Sequence, residues 1–219
     1  MDQAVARRNM VDSQIRPTGI DDLRLIEAMG QVPREAFLPK SDHGLAYMGG
    51  EIEVAPGRVL SAPLTLARLI HLAAIKPTDV VLHVGSGAGY GSAILGHLAS
   101  TVVALDSDPA LTETANRVLS DLGILNVAVL QGDMAVGYPK QAPYDVILIE
   151  GLVDEVPESL LSQLAEGGRL CTLLSVKSGH LGRGAVYLRS HGALGNRAIF
   201  DASATPLPGF AAKEGFIFA

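Results

Sequence analysis

The residues best placed to do chemistry in this chain lie in one short stretch, Gly85-Ser86-Gly87-Ala88-Gly89-Tyr90. Alternating glycines let a chain turn sharply and bring bare backbone amides against a ligand, because no Cβ stands in the way. An apolar run, Val80 to Val84, precedes them, and an apolar, small-residue run from about Gly91 to Leu98 follows. Strand, glycine turn and helix in that order open a nucleotide-binding βαβ unit, whose helix start offers unpaired N–H groups. Tyr90 stands where a dinucleotide fingerprint has its third small residue, so the spacing departs from that class but still suits a nucleoside-containing ligand. The next apolar run ends in Asp106, about 20 residues past the first glycine, where an acid can take two ribose hydroxyls. A third strand closes in Gln131-Gly132-Asp133. Alone, Asp106 and Asp133 could be strand-terminating turn residues; their register with the glycine turn points to ligand contact.

The elements that must position these residues follow from periodicity and punctuation. Ser61-Ala62-Pro63 starts a helix with proline at its first position, and Leu64, Ala67, Leu69, Ile70, Leu72 and Ala73 fill most of its circumference. Asp108-Pro109 caps another, with Leu111, Ala115, Val118, Leu119 and Leu122 along one face. Tyr144-Asp145 leads into the fourth strand, VILIE. A short helix over 157–164 and Gly167-Gly168 precede the fifth, RLCTLL. The alternation then stops. Residues 185–189 and 194–200 read as two strands joined at His191-Gly192, a hairpin that makes the sheet mixed. Residues 1–60 show no such alternation. Asp21 or Asp22 caps a helix that points Leu23, Ile26 and Met29 inward, after which Pro33, Pro39, Pro56 and several glycines break the chain. The expected architecture is a single α/β domain over 1–219. Its Rossmann-like sheet is mostly parallel with a C-terminal antiparallel hairpin (61–219), under an N-terminal helical cap (1–60). Leu207-Pro208-Gly209-Phe210 and Phe216-Ile217-Phe218 are expected to dock on the body.

Composition narrows the setting. A chain of 219 residues that is 48% hydrophobic can bury a substantial core. A formal net charge of −6 argues against a nucleic-acid surface. The first ten residues lack an apolar leader, and no apolar run reaches membrane-spanning length, since Arg68 and His71 interrupt Leu64–Ile75. The single cysteine, Cys171, cannot form an internal disulfide and fits a reducing cytoplasm. Six histidines and one cysteine show no metal-ligand spacing.

Five βα-type strands followed by an antiparallel hairpin resemble the class I S-adenosylmethionine-dependent methyltransferase fold. Within it, the chain most resembles the protein-L-isoaspartate O-methyltransferase family over residues 9–175. The matching stretches are NMVDSQIRPTGI, VPREAFLP, VAPGRVLSAPLTLARL, VGSGAGYGSAIL, LQGDMAVGYPKQAPYDVILIEG and LAEGGRL. The glycine turn is common to such methyltransferases; the cap with Ser-Ala-Pro before a helix is more specific.

The resemblance implies S-adenosylmethionine as cofactor, S-adenosylhomocysteine as product, and isoaspartyl proteins as substrate. Gly85, Ser86, Gly87 and Gly89 would pass the methionine moiety and ribose, with Tyr90 and Ser107 close by. Asp106 would take the ribose hydroxyls. Asp133 would meet the adenine amino group, with Met134 beside the ring. Ser61 would hydrogen-bond the acceptor carboxylate; read from the residues alone it is an N-cap. A carboxylate acceptor is already ionised at neutral pH, so placement and exclusion of water suffice and no general base is required. The implied product ester collapses to a succinimide that reopens partly as normal aspartate, a repair reaction.

Two positions depart from the family pattern. His83 stands where an acid usually precedes the glycine turn, and Glu150-Gly151-Leu152 replaces small residues after the fourth strand. Glu150 either supplies the missing charge near the cofactor or is a strand-end acid facing water. His83 is a satisfied strand-end histidine rather than a base. A methyltransferase for a small-molecule or RNA acceptor stays open, as does a cofactor-binding protein without catalysis.

Overall fold

The computed structural model describes residues 2–176 and 180–212. The Phe216-Ile217-Phe218 stretch lies outside them. Two capped helices begin the chain. Asp2 accepts from the Ala4 and Val5 amides to start α1 (Gln3–Met10), and Asp22 accepts from Arg24 and Leu25 to start α2 (Leu23–Gln31). Ile26 and Met29 of α2 are buried as expected, but Leu23 is 72% exposed. Leu25 takes the inward place instead. It lies about 200° around the helix from Leu23, and only one stripe can face the core.

The cap is not wholly helical. Strands β1 (Ile52–Ala55) and β2 (Arg58–Leu60) pair antiparallel, turning at Pro56-Gly57, where Gly57 has φ +68°. The proline and glycine that read as breakers are this hairpin's turn. Helix α3 (Pro63–Ala73) follows directly, then β3 (Val80–Val84), α4 (Tyr90–Leu98), β4 (Thr101–Asp106), α5 (Pro109–Asp121) and β5 (Val127–Gln131). The chain continues through β6 (Tyr144–Val153), the one-turn α6 (Glu158–Leu161), β7 (Leu164–Ser175), β8 (Leu181–Ser190) and β9 (Ala193–Ser203).

Seven strands form one sheet in the order β5-β4-β3-β6-β7-β8-β9; β7, β8 and β9 are joined antiparallel and the rest parallel. The strand order reverses between β3 and β6. In such sheets the crevice beyond the carboxyl ends at that point is where ligands bind. Alternation along β3 sorts the core into two sides. Val81 joins Met10, Leu25, Met29, Leu66, Ile70, Tyr90 and Ile94, so the cap and the sheet share one cluster. Leu82 and Val84 face Val103, Ile147, Leu170, Leu207 and Phe210 on the other side. Leu207 and Phe210 dock there as the sequence leads one to expect, carried by a segment whose backbone pairs with β6: Leu152 N–H donates to Thr205 O and Leu207 N–H to Leu152 O.

Gly89, the N-cap of α4, has φ +101°, and a Cβ there would stand 2.9 Å from that of Ala115 on α5. Left-handed strain and a backed-up neighbour act together. Gly89→Ala is expected to lower the unfolding free energy by about 2 kcal/mol or more in urea titration. An unchanged midpoint and slope would contradict that packing.

Candidate active site

Asp106 ends β4 fully buried. Its two oxygens accept four hydrogen bonds: Arg58 Nη1 at 2.6 Å and Asp108 N at 3.0 Å on Oδ1, Arg58 Nη2 at 2.6 Å and Gly87 N at 2.7 Å on Oδ2. A carboxylate offers about four lone-pair directions, so this one is saturated. Burial alone raises its pKa, but the hydrogen bonds and charge of Arg58, with the two backbone amides, outweigh that and hold the carboxyl below the usual range. The bidentate fork comes from the cap hairpin, where Arg58 opens β2. Sequence reasoning missed Arg58. A basic residue after Pro56-Gly57 has no local signal of a partner on a distant strand.

The glycine turn lies beside this pair. Gly85, Gly87 and Gly89 all have positive φ, as the sharp turn requires. Gly85 is covered from above: a Cβ there would meet Leu207 and Glu150 O at 3.0 Å. Ser86 Oγ is buried with no hydrogen-bond partner. The space bordering residues 206–209, which cover Gly85, falls into two parts. One part, about 370 Å³, is lined by Ser107, Gly132, Asp133, Met134, Pro208 and Gly209. Asp133 is exposed there, with Oδ1 accepting from Ala135 N and Oδ2 free of donors among the described residues. The other part encloses only about 10 Å³ beside Ser61, Arg58, Glu150 and Leu207. Glu51 clamps its roof, accepting from Thr205 N at 3.1 Å and Thr205 Oγ1 at 2.7 Å.

Ser61 lies at this closed end, 8% exposed. The N-cap of α3 is Ala62, without a side-chain cap, so Ser61 is not the capping residue that its position suggests. Its carbonyl accepts from Arg34 Nη2 at 2.6 Å, and Arg34 Nε donates to Ala46 O at 2.7 Å. Fully buried Arg34 thereby ties the segment carrying Ser61 to the cap. The same guanidinium stacks 4.9 Å from the Tyr90 ring centre, and Phe37 meets that ring edge-on. Tyr90 is therefore packed under the cap with its side chain wholly buried, which leaves its backbone as the part facing the turn.

The two departures from the family pattern meet each other. His83 Nδ1 is 2.8 Å from Ser92 Oγ, and His83 Nε2 faces Glu150 Oε2 at 3.0 Å. That second contact is a close approach off the line of a hydrogen bond. Glu150 is 8% exposed and does not face water. Gly91 makes room for it, because a Cβ there would lie 2.2 Å from Glu150 Oε2. An acid absent from the tip of β3 thus stands one strand over, on β6, with His83 filling the vacated place.

The pairing of Asp106 has a sign that can be checked. A carboxyl held below its ordinary value contributes stability that is complete above about pH 4 and lost as pH falls through its folded value. Asp106→Asn should therefore be less stable than the parent protein at neutral pH, with the difference shrinking as acid is added. Urea midpoints measured from about pH 6 down to about pH 3 would show it; a difference that stays constant contradicts the ion pair.

Comparison with known proteins agrees with this geometry. The family model described as protein-L-isoaspartate(D-aspartate) O-methyltransferase (PCMT) matches residues 6–181. A protein-L-isoaspartate O-methyltransferase of Koribacter versatilis is 38% identical over 206 residues, 94% of this chain and 92% of that relative. Another, of Protochlamydia amoebophila, is 42% identical over 161 residues, 74% of this chain and 77% of the relative. Among solved structures, a protein-L-isoaspartate O-methyltransferase superposes with TM-score 0.81 at 26% identity, covering 93% of this chain and 66% of that longer chain. A Plasmodium falciparum chain assigned to the same class, in complex with S-adenosyl-L-homocysteine, shares the fold with TM-score 0.76 at 21% identity over 92% of this chain and 97% of its own. Glycine turn, strand-tip acids, Ser61 at the closed end and these likenesses agree: the chain belongs to the protein-L-isoaspartate O-methyltransferase family.

Proposed function

We propose that this chain methylates the free carboxylate of L-isoaspartyl residues in damaged proteins, using S-adenosylmethionine. The observation that carries the proposal is a pair of hollows along one segment. A cavity lined by Asp133 and Met134 and a small end holding Ser61 both border residues 206–209, whose Leu207 covers Gly85 of the glycine turn. The residues around them fit the cofactor. Ser86 Oγ is a buried hydroxyl in need of a partner, Asp133 has a free oxygen facing a cavity of about 370 Å³, and Asp106 carries the oxygens a ribose would use. When bound, the cofactor supplies an electrophilic sulfonium methyl.

The protein's task is then placement. Asp133 and Met134 hold the base, Asp106 holds the sugar, and Gly85, Gly87 and Gly89, whose amides are already bonded within the turn, let the methionine lie close because they carry no side chain, with Ser107 and the Tyr90 backbone beside them. Glu150, backed by His83, supplies negative charge beside the glycine turn where β3 has none. Ser61 donates to one acceptor oxygen and leaves the other in line with the methyl. The acceptor is ionised at neutral pH, so no side chain needs to remove a proton. Leu207 and the hairpin exclude water. A sequence with a single cysteine, Cys171, which is fully buried, cannot form an internal disulfide and suits a reducing, cytoplasmic setting. Among the described residues no helix is long and apolar enough to cross a membrane.

Tritiated methyl transfer to an isoaspartyl peptide, with the matched aspartyl peptide as control, tests the substrate. Transfer to the first alone is expected, and equal or no transfer contradicts the reading. Ser61→Ala should lower kcat roughly tenfold or more, the scale of one lost charge-assisted hydrogen bond. Its S-adenosylhomocysteine affinity in calorimetry should not change. Undiminished turnover would remove Ser61 from the acceptor site.

A further inference from the structure

We propose that Arg58 is the specificity-determining cation of this enzyme, passing from Asp106 to the acceptor carboxylate when the cofactor binds. The inference rests on the reading of Asp106 as the ribose acceptor and goes beyond it. All four acceptor positions of Asp106 are taken, two of them by the Arg58 fork at 2.6 Å. The amides of Gly87 and Asp108 belong to the turn and the α5 cap. A sugar diol can bond this carboxylate only by displacing the guanidinium, the one donor pair on a movable side chain.

The displaced group can turn into the hollow that it already lines with Ser61. Among the described residues that line the closed end beside Ser61, Arg58 is the only basic side chain, while Glu51 and Glu150 are both acids. Glu51 is engaged by Thr205, and Glu150 Oε2 lies 3.0 Å from His83 Nε2. An isoaspartyl residue is linked through its side-chain carboxyl, so its α-carboxylate is free and enters this end as an anion. Without a cation it would meet two carboxylates in a cavity of about 10 Å³. A guanidinium matches a carboxylate in bidentate geometry. Freed from Asp106, the guanidinium has lost its bidentate partner, and the acceptor carboxylate supplies another of the same geometry. Cofactor and acceptor binding are thereby coupled: each makes the other more favourable.

Calorimetry and transfer kinetics on the intact protein separate this role from a structural clamp. In Arg58→Gln, S-adenosylhomocysteine should bind several-fold more tightly, because its competitor for Asp106 is gone. The KM for the isoaspartyl peptide should rise roughly tenfold to a hundredfold, the scale of a charge-assisted hydrogen bond, with kcat changing less. Arg58→Lys, which keeps the charge without the fork, should recover part of the KM. In the wild-type protein, the peptide should bind more tightly once S-adenosylhomocysteine is present, a measurement that needs no variant to fold. Weaker S-adenosylhomocysteine binding in Arg58→Gln, an unmoved peptide KM, or absence of coupling in the wild type would each overturn the proposal. Wild-type protein that binds S-adenosylhomocysteine but neither binds nor methylates the peptide would instead fail the substrate assignment, and the acceptor half of this proposal with it.

Discussion

One buried carboxylate organises this molecule. Asp106 joins the turn through Gly87, the start of α5 through Asp108, and the cap through Arg58. Four donors on one acid make it the point where sheet, glycine turn and hairpin are locked in relative position. The cost of burying this charge is offset because its lone pairs are met. The same saturation means that a ligand using Asp106 must replace a protein donor. The group that fixes the site is therefore also the group that must let go for it to work.

Charge placement around the turn obeys a second constraint. The tip of β3 carries His83 rather than an acid, yet a carboxylate is still present, reaching across from β6. The exchange works because β3 and β6 are parallel neighbours at the switch point, with His83 in register with Leu148 and Glu150 two residues further on. Gly91 supplies the space, since any side chain there would occupy the carboxylate's place. Two departures that look independent along the chain are one compensated change in space. Leu207, laid over Gly85 by the pairing of its segment with β6, then closes the crevice from the other side.

Local signals carried much of this architecture. The glycine turn, the acid ending β4, the caps at Asp22 and Asp108 and the C-terminal hairpin each depend on residues a few positions apart, so spacing alone revealed them. Long-range features were not legible. The partner of Arg58 sits on another element; the burial of Glu150 depends on His83 and Gly91; and Ser61 escapes its capping role because the α3 N-cap falls on Ala62. Leu23 failed for a different reason: the apolar stripe of α2 could be drawn through Leu23 or Leu25, and only the neighbours of the helix decide between them. Residues 1–60 hid a hairpin because a two-residue turn at Pro56-Gly57 reads the same as a chain break.

The most direct test of the account is a crystal structure of the protein with S-adenosylhomocysteine bound. It should show the sugar hydroxyls on Asp106, the base against Asp133 and Met134, and the Arg58 guanidinium withdrawn toward Ser61. A complex in which Arg58 still forks Asp106 while the nucleoside lies elsewhere would contradict it.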